Sequence, residues 1–153
     1  MKLSRLKELP GHRIIIASLA GTGLFAVTAI PAAAGVHALK LPAAVVSLVL
    51  FVVSIPLSLL ALARAAVRTA RQEDRITVGG LFFLQGAAPR PVRRALLGSL
   101  LVALVVTAAT ASGEPFGVLQ PVFPLALCAW WSAHHGTFPR LPDPGRPGPD
   151  KKG

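Results

Sequence analysis

Several residue types that carry chemistry in other proteins are rare or absent in this chain. Cys128 is the only cysteine, which excludes an intramolecular disulfide, a C-x-x-C redox pair and the chemistry of the four-helix quinone-linked thiol oxidoreductases. Its apolar surroundings predict a small buried hydrophobic group rather than a nucleophile. Tyrosine is absent and no basic segment is interleaved with aromatic residues. We therefore expect no nucleic acid partner, despite a net charge of +10.

Charged residues are scarce, and their positions exclude further classes. They make up 14% of the chain, against about 25% in a soluble protein. None lies deep in an apolar stretch, where ion-coupled transporters and proton relays normally need one. No His or Asp is placed to activate the serines there, and no nucleotide-binding glycine pattern occurs. The adjacent His134 and His135 lack acidic or cysteine partners. We expect no enzymatic activity, cofactor or metal.

What the chain has instead is four long apolar stretches, at residues 14–36, 41–63, 95–111 and 116–133. About 20 helical residues cross the hydrocarbon core of a bilayer. The first two stretches, of 23 residues each, are long enough to cross with some tilt. The other two, of 17 and 18 residues, imply little tilt or local thinning of the bilayer. The sequence predicts an all-α polytopic integral membrane protein with four transmembrane helices.

The basic residues predict how these helices are oriented. Of the 16 Lys and Arg residues, 15 fall in the N-terminal tail 1–13, the middle loop 64–94 and the C-terminal tail 134–153, and the exception is Lys40. Cytoplasmic segments of membrane proteins collect Lys and Arg. Both termini are therefore expected in the cytoplasm. The short connections on the other side predict two antiparallel hairpins, and the Pro- and Gly-rich C-terminal tail is expected to be disordered.

Two local questions stay open at the level of sequence. Residues 1–34 also fit a cleaved signal peptide, although the apolar run 14–30 exceeds the usual h-region of about 7–15 residues. Cleavage would leave the orientation of the later helices unchanged. Within the middle loop, residues 76–88 are too apolar for a free loop and too short to span. They fit either a re-entrant or interfacial segment, or a cap packed under the bundle.

Four arginines of the middle loop form the first candidate site. Residues 61–75 are rich in alanine and are expected to extend the second helix into the cytoplasm. Spacings of four, three and four residues place the arginines in one stripe, about 60° wide. Such a stripe suits anionic lipid headgroups, and an ordinary solvated face is the alternative. These candidate headgroup contacts are Arg64, Arg68, Arg71 and Arg75.

Small residues recur every four positions along the third apolar stretch. In lipid, small side chains let helix backbones approach closely, and this packing drives helix association. The face is expected to pack within the monomer or, alternatively, to form a dimer contact. Its members are Ala95, Ser99, Ala103, Thr107 and Ala111. The expected protein partner of the chain as a whole is a second copy or another membrane protein.

Two resemblances bear on function. The segment DRITVGGLFFLQGAAPR at residues 74–90, with HHGTFP at residues 134–139, resembles an uncharacterised family of small membrane proteins from high-GC actinobacteria. It implies placement in a bacterial inner membrane and brings no activity, cofactor or catalytic residue. In size and span count the chain also resembles the small four-helix multidrug exporters. It lacks their membrane-embedded glutamate in the first helix. Glu114 cannot take that role, because it is expected in an external turn.

These observations favour a non-enzymatic interaction or scaffold component of the membrane. The alternative is a channel or an uncoupled small-solute permease that uses Pro-kinked helices. The two differ in whether the hydroxyl side chains of the spans meet around a water-filled path or pack against apolar neighbours. The hydroxyl residues in question are Thr22, Thr28, Ser47, Ser54, Ser58 and Thr107.

Overall fold

The computed structural model describes residues 10–71, 76–113 and 115–138. Over these ranges the chain forms α- and 3-10 helices and no strand. The α-helices are α1 (His12–Ala33), α2 (Lys40–Ala70), α3 (Val78–Phe83), α4 (Arg90–Thr110) and α5 (Val122–His135). Short 3-10 helices, His37–Leu39 and Pro115–Leu119, precede α2 and α5. Arg75 and most of the two predicted tails lie outside the described residues.

Four of these helical segments are long and apolar enough to cross a membrane, when each 3-10 helix is counted with the α-helix that follows it. This confirms the predicted all-α class with four candidate spans. The helices extend beyond the apolar stretches, however. α2 continues to Ala70, because Ala, Leu and Arg are good helix formers. α4 begins at Arg90, with Pro91 in its first turn, where proline removes no intrahelical hydrogen bond.

The arginine-bearing ends of the helices lie together. One buried cluster joins Ile15 of α1 and Val92 of α4 to Trp131 of α5. A second cluster joins Ala61 of α2 to Ala129 of α5. We call this side of the bundle the basic end. Most of the described Lys and Arg residues belong to it, and Lys40 starts α2 at the opposite end. The members at the basic end are Arg13, Arg64, Arg68, Arg71, Arg90, Arg93 and Arg94.

α5 is the central helix of the bundle. It contacts each of the other α-helices, and nine of its 14 residues are buried. Of the apolar 18-residue stretch in its span, 61% is buried, against 17% for the corresponding stretch in the span that contains α2. Its buried positions include Ala126, Ala129 and Ala133, whose small side chains let neighbouring helices approach closely.

α1 and α4 pack along the small-residue face predicted on α4. Ser18 and Ser99 are hydrogen-bonded at 2.5 Å, and Ser99 Oγ also donates to the Leu96 carbonyl at 2.8 Å. Because a hydroxyl donates one proton, Ser18 is the donor to Ser99. Ala103 is completely buried. These contacts lie within the monomer.

The ends of the same face differ from its centre. Ala95 is partly buried against the cluster around Trp131. Thr107 donates to the Gly117 carbonyl at 3.1 Å. Ala111 is exposed just beyond the end of α4, because the chain turns there towards the next 3-10 helix. The close contact therefore centres on Ser99 and Ala103.

Replacing Ala103 with leucine should destabilise the bundle. Ala103 has no exposed surface, so a leucine must displace its neighbours, and overpacking costs about 1–3 kcal/mol. Ala109, on the exposed side of α4, offers the matched control Ala109→Leu. Thermal unfolding in detergent should show a lower Tm for Ala103→Leu and little change for Ala109→Leu. Equal Tm values would show that this face is not the close packing surface.

Candidate functional site

The short helix α3 closes the basic end of the bundle. Thr77 caps its N-terminus, since its Oγ1 accepts a hydrogen bond from the Gly80 amide at 3.1 Å. Leu84 ends the helix in the left-handed conformation, with φ of 54°. Leu81 and Leu84 are both buried, one in each of the two clusters at this end. The apolar residues of the middle loop thus cover the basic end of the bundle.

The packing of this segment bears on the arrangements left open by the sequence. Leu84 packs with Ile15, Val92 and Leu96. Leu96 lies six residues into α4, or about 9 Å along the axis. The segment therefore packs as a cap on the ends of the helices.

The cap is hydrogen-bonded to α5 and to the chain that follows it. Ser132 Oγ donates to the Gly80 carbonyl at 3.1 Å. The Thr137 amide donates to the Ala87 carbonyl, also at 3.1 Å. α5 itself extends to His135. Residues 134–138, which the sequence assigns to the disordered tail, are therefore ordered: His134 and His135 complete α5, and the Thr137 amide bonds to the cap.

Arg68 binds the C-terminal end of α5. Its guanidinium donates to the carbonyls of Ala133 at 3.2 Å and Gly136 at 3.4 Å. It also lies 5.4 Å from the centre of the Phe138 ring. The last carbonyls of a helix lack intrahelical partners and form the negative end of its dipole. Arg68 therefore has a structural role as well as a place in the predicted stripe.

Arg64 pairs with His134 of α5. The Arg64 guanidinium donates to Nε2 of His134, since arginine has no acceptor. Nδ1 of the same ring is therefore the donor to the Trp130 carbonyl, at 3.0 Å. This arrangement orders the imidazole between α2 and α5. His135, the other member of the histidine pair, is exposed.

A groove runs along α2 beside these contacts, with a volume of about 420 Å³. Three of the four arginines in the predicted stripe line it, and Arg75 lies outside the described residues. Arg71 is exposed at the end of α2. The lining residues are Leu60, Ala63, Arg64, Val67, Arg68, Arg71 and Trp130. The groove therefore combines cationic groups with an apolar wall.

No carboxylate occurs in residues 10–71, 76–113 and 115–138, since all six acidic residues of the chain fall elsewhere. Over the same ranges, no group of three His, Cys, Asp or Glu residues is placed to hold a metal ion. Anions that balance charge at the basic end must come from the remaining segments or from outside the chain.

Three buried polar side chains in the bundle have unused hydrogen-bonding groups. Thr22 and Ser47 belong to the hydroxyl residues named from the sequence, whereas Gln120 was not singled out there. Among the described residues, no hydrogen-bond partner is found for the hydroxyl oxygens of Thr22 and Ser47 or for the side-chain amide nitrogen and oxygen of Gln120. Thr28 and Ser54, by contrast, donate to carbonyls of their own helices. Gln120 was the one amide inside the fourth apolar stretch, and a polar group at such a position is a signal for function.

Comparisons with protein-family models, curated proteins and solved structures gave no match for this chain. The functional interpretation therefore rests on the geometry of the basic end and of the bundle interior.

Arg68 and Arg71 provide a matched test of the two roles assigned to the arginine stripe. Arg68→Ala removes the donor to two carbonyls at the end of α5, and we expect a loss of about 1.5–3 kcal/mol of stability. Arg71→Ala removes an exposed charge and should change Tm little. Thermal unfolding in neutral detergent measures both. A Tm for Arg71→Ala as low as that for Arg68→Ala would contradict the structural role of Arg68.

Proposed function

We propose that this chain is a bacterial inner-membrane protein with both termini in the cytoplasm. In this arrangement α1 with α2, and α4 with α5, form two antiparallel hairpins. The distribution of charge supports it, because seven of the described Lys and Arg residues share one end of the bundle and Lys40 belongs to the other. Cytoplasmic ends of membrane helices carry such an excess. The resemblance of residues 74–90 to an actinobacterial family supports the bacterial placement.

We further propose that the protein acts as a non-enzymatic interaction or scaffold component. The observation that carries this proposal is the exposed outer face of α2. Although α2 is the longest helix, only 17% of the apolar window in its span is buried. Over residues 41–60 its exposed side chains are aliphatic or proline, and they offer a long surface to lipid or to a partner helix. It includes Leu41, Val45, Leu48, Val49, Val52 and Leu59.

The lipid partners in this proposal are anionic headgroups at the groove of α2. Arg64 and Arg71 are exposed there, and each basic residue near an anionic surface contributes roughly 1 kcal/mol. The protein partner is a second copy of this chain or another membrane protein. Either would pack against α2 without disturbing α5, which is enclosed by the other helices.

A permease is the second candidate function, and the unpaired groups of Thr22, Ser47 and Gln120 favour it. They come from α1, from α2 and from the segment before α5, and each has an unused hydrogen-bonding group for a small neutral solute. The bonds of Thr28 and Ser54 to their own backbones favour the scaffold instead, because those hydroxyls are already occupied.

Reporter fusions test the orientation. Fusions after Arg71 and Pro139 should give cytoplasmic signal, and a fusion at Gly113 should give external signal. The physical reason is the retention of arginine-rich segments on the cytoplasmic side. External signal from the fusion after Arg71 would overturn the proposed topology.

Photo-cross-linking in native membranes tests the scaffold role. A photoreactive residue in place of Val52, which is 54% exposed on α2, should give one discrete protein adduct. The same residue at Val105, 59% exposed on α4, is the control for random collisions. Adducts to lipid alone at position 52, or the same protein adducts at both positions, would contradict a partner surface on α2.

Solute flux with the variant Gln120→Met separates the scaffold from the permease. Methionine removes an unpaired buried amide, so a scaffold should gain about 1–3 kcal/mol of stability. If the protein is a scaffold, proteoliposomes that contain the wild-type chain should pass glycerol and urea no faster than protein-free liposomes. Flux above that background which falls in Gln120→Met would support the permease and overturn the scaffold.

A further inference from the structure

A second basic groove lies on α4, away from the arginine stripe of α2. Its volume is about 440 Å³. The arginines occupy the first turn and a half of the helix, and the other lining residues follow on the next two turns. Leu101 lies about 10 Å along the axis from Arg94. The lining residues are Arg90, Arg93, Arg94, Leu97, Gly98 and Leu101.

The charged part of this groove is open to a ligand. Arg90, Arg93 and Arg94 are exposed, and none of their guanidinium groups donates a hydrogen bond to a group in the described part of the chain. No carboxylate occurs there to neutralise them. Arg90 is also the first residue of α4, at the positive end of the helix dipole. The mouth of the groove is therefore complementary to an anion.

The apolar part of the groove is shaped by Gly98. A Cβ atom added at this position would meet no atom within 4 Å, so the missing side chain leaves a notch in the helix surface. Leu97 beside it is half-buried, and Leu101 is 62% exposed. The notch and its flanking leucines form an apolar track that leads from the arginines towards the middle of the bundle.

We propose that this groove binds an anionic phospholipid, with its phosphate on the arginines and one acyl chain along Leu97, Gly98 and Leu101. A soluble anion would use only the arginine mouth and leave the apolar track uncovered. A lipid covers both. Its phosphate would lie at the arginines at the start of α4, and the acyl chain attached to it would follow the apolar residues further along the helix. The inference rests on the membrane placement of the chain and is independent of its scaffold role.

Native mass spectrometry of the full-length chain, released from detergent with added lipid, tests the proposal. The probes are phosphatidylglycerol, phosphatidylcholine and inorganic phosphate. Phosphatidylglycerol should bind more tightly than phosphatidylcholine, and inorganic phosphate should not displace it. Arg94→Gln should weaken phosphatidylglycerol binding about fivefold, from roughly 1 kcal/mol per basic residue.

Two glycine variants locate the site. Gly98→Leu fills the notch and should weaken phosphatidylglycerol binding at least as much as Arg94→Gln does. Gly23→Leu is the matched control, because a Cβ at this exposed glycine of α1 also meets nothing within 4 Å. It should leave binding unchanged, and Tm values for both variants establish that they fold. Equal binding by the two glycine variants, equal binding of the two lipids, or displacement by inorganic phosphate would each overturn the proposal.

Discussion

The burial of α5 among the other helices is the constraint on which the rest of the bundle depends. Lipid offers little hydrophobic force between helices, so close packing and hydrogen bonds must hold them together. α5 supplies both, through buried alanines along its length and through Trp131 and Ser132 near its end. The Trp131 indole donates to the Pro10 carbonyl at 2.8 Å, which places the start of α1 beside the end of α5.

The arginines at the basic end fall into two groups. Arg68 donates to the carbonyls of Ala133 and Gly136, at the end of α5 where carbonyls lack intrahelical partners. Arg71 and Arg94 are exposed, and in the proposed membrane placement their charges face the lipid headgroups. The cap formed by α3 keeps the interior apolar between these arginines, because Leu81 and Leu84 fill the mouth of the bundle.

The existence of four spans could be predicted because hydropathy is a local property of the chain. The positions of the helix ends were harder to predict, because helix propensity extends α2, and the placement of proline extends α4, beyond their apolar stretches. The role of α5 depends on tertiary contacts, and its modest hydropathy gave no sign that it would be the most enclosed span. The pairing of Arg68 with α5 was hidden for the same reason. Periodicity placed Ala103 on one face of its helix, but only the fold brings Ser18 against that face.

The order of the helices along the chain has a consequence for biogenesis. Chains are made from the N-terminus, and early segments begin to fold before later ones exist. Here the helix that supplies the common core follows the other described helices along the chain. Gly11, with φ of 70°, lies where a Cβ would come within 2.6 Å of the Trp131 ring, so even the first turn of α1 is shaped around a residue synthesised 120 positions later. Until α5 is present, α1, α2 and α4 can make only their contacts with one another, such as the Ser18–Ser99 hydrogen bond between α1 and α4. The common core of the described bundle can therefore be completed only after α5 has been made.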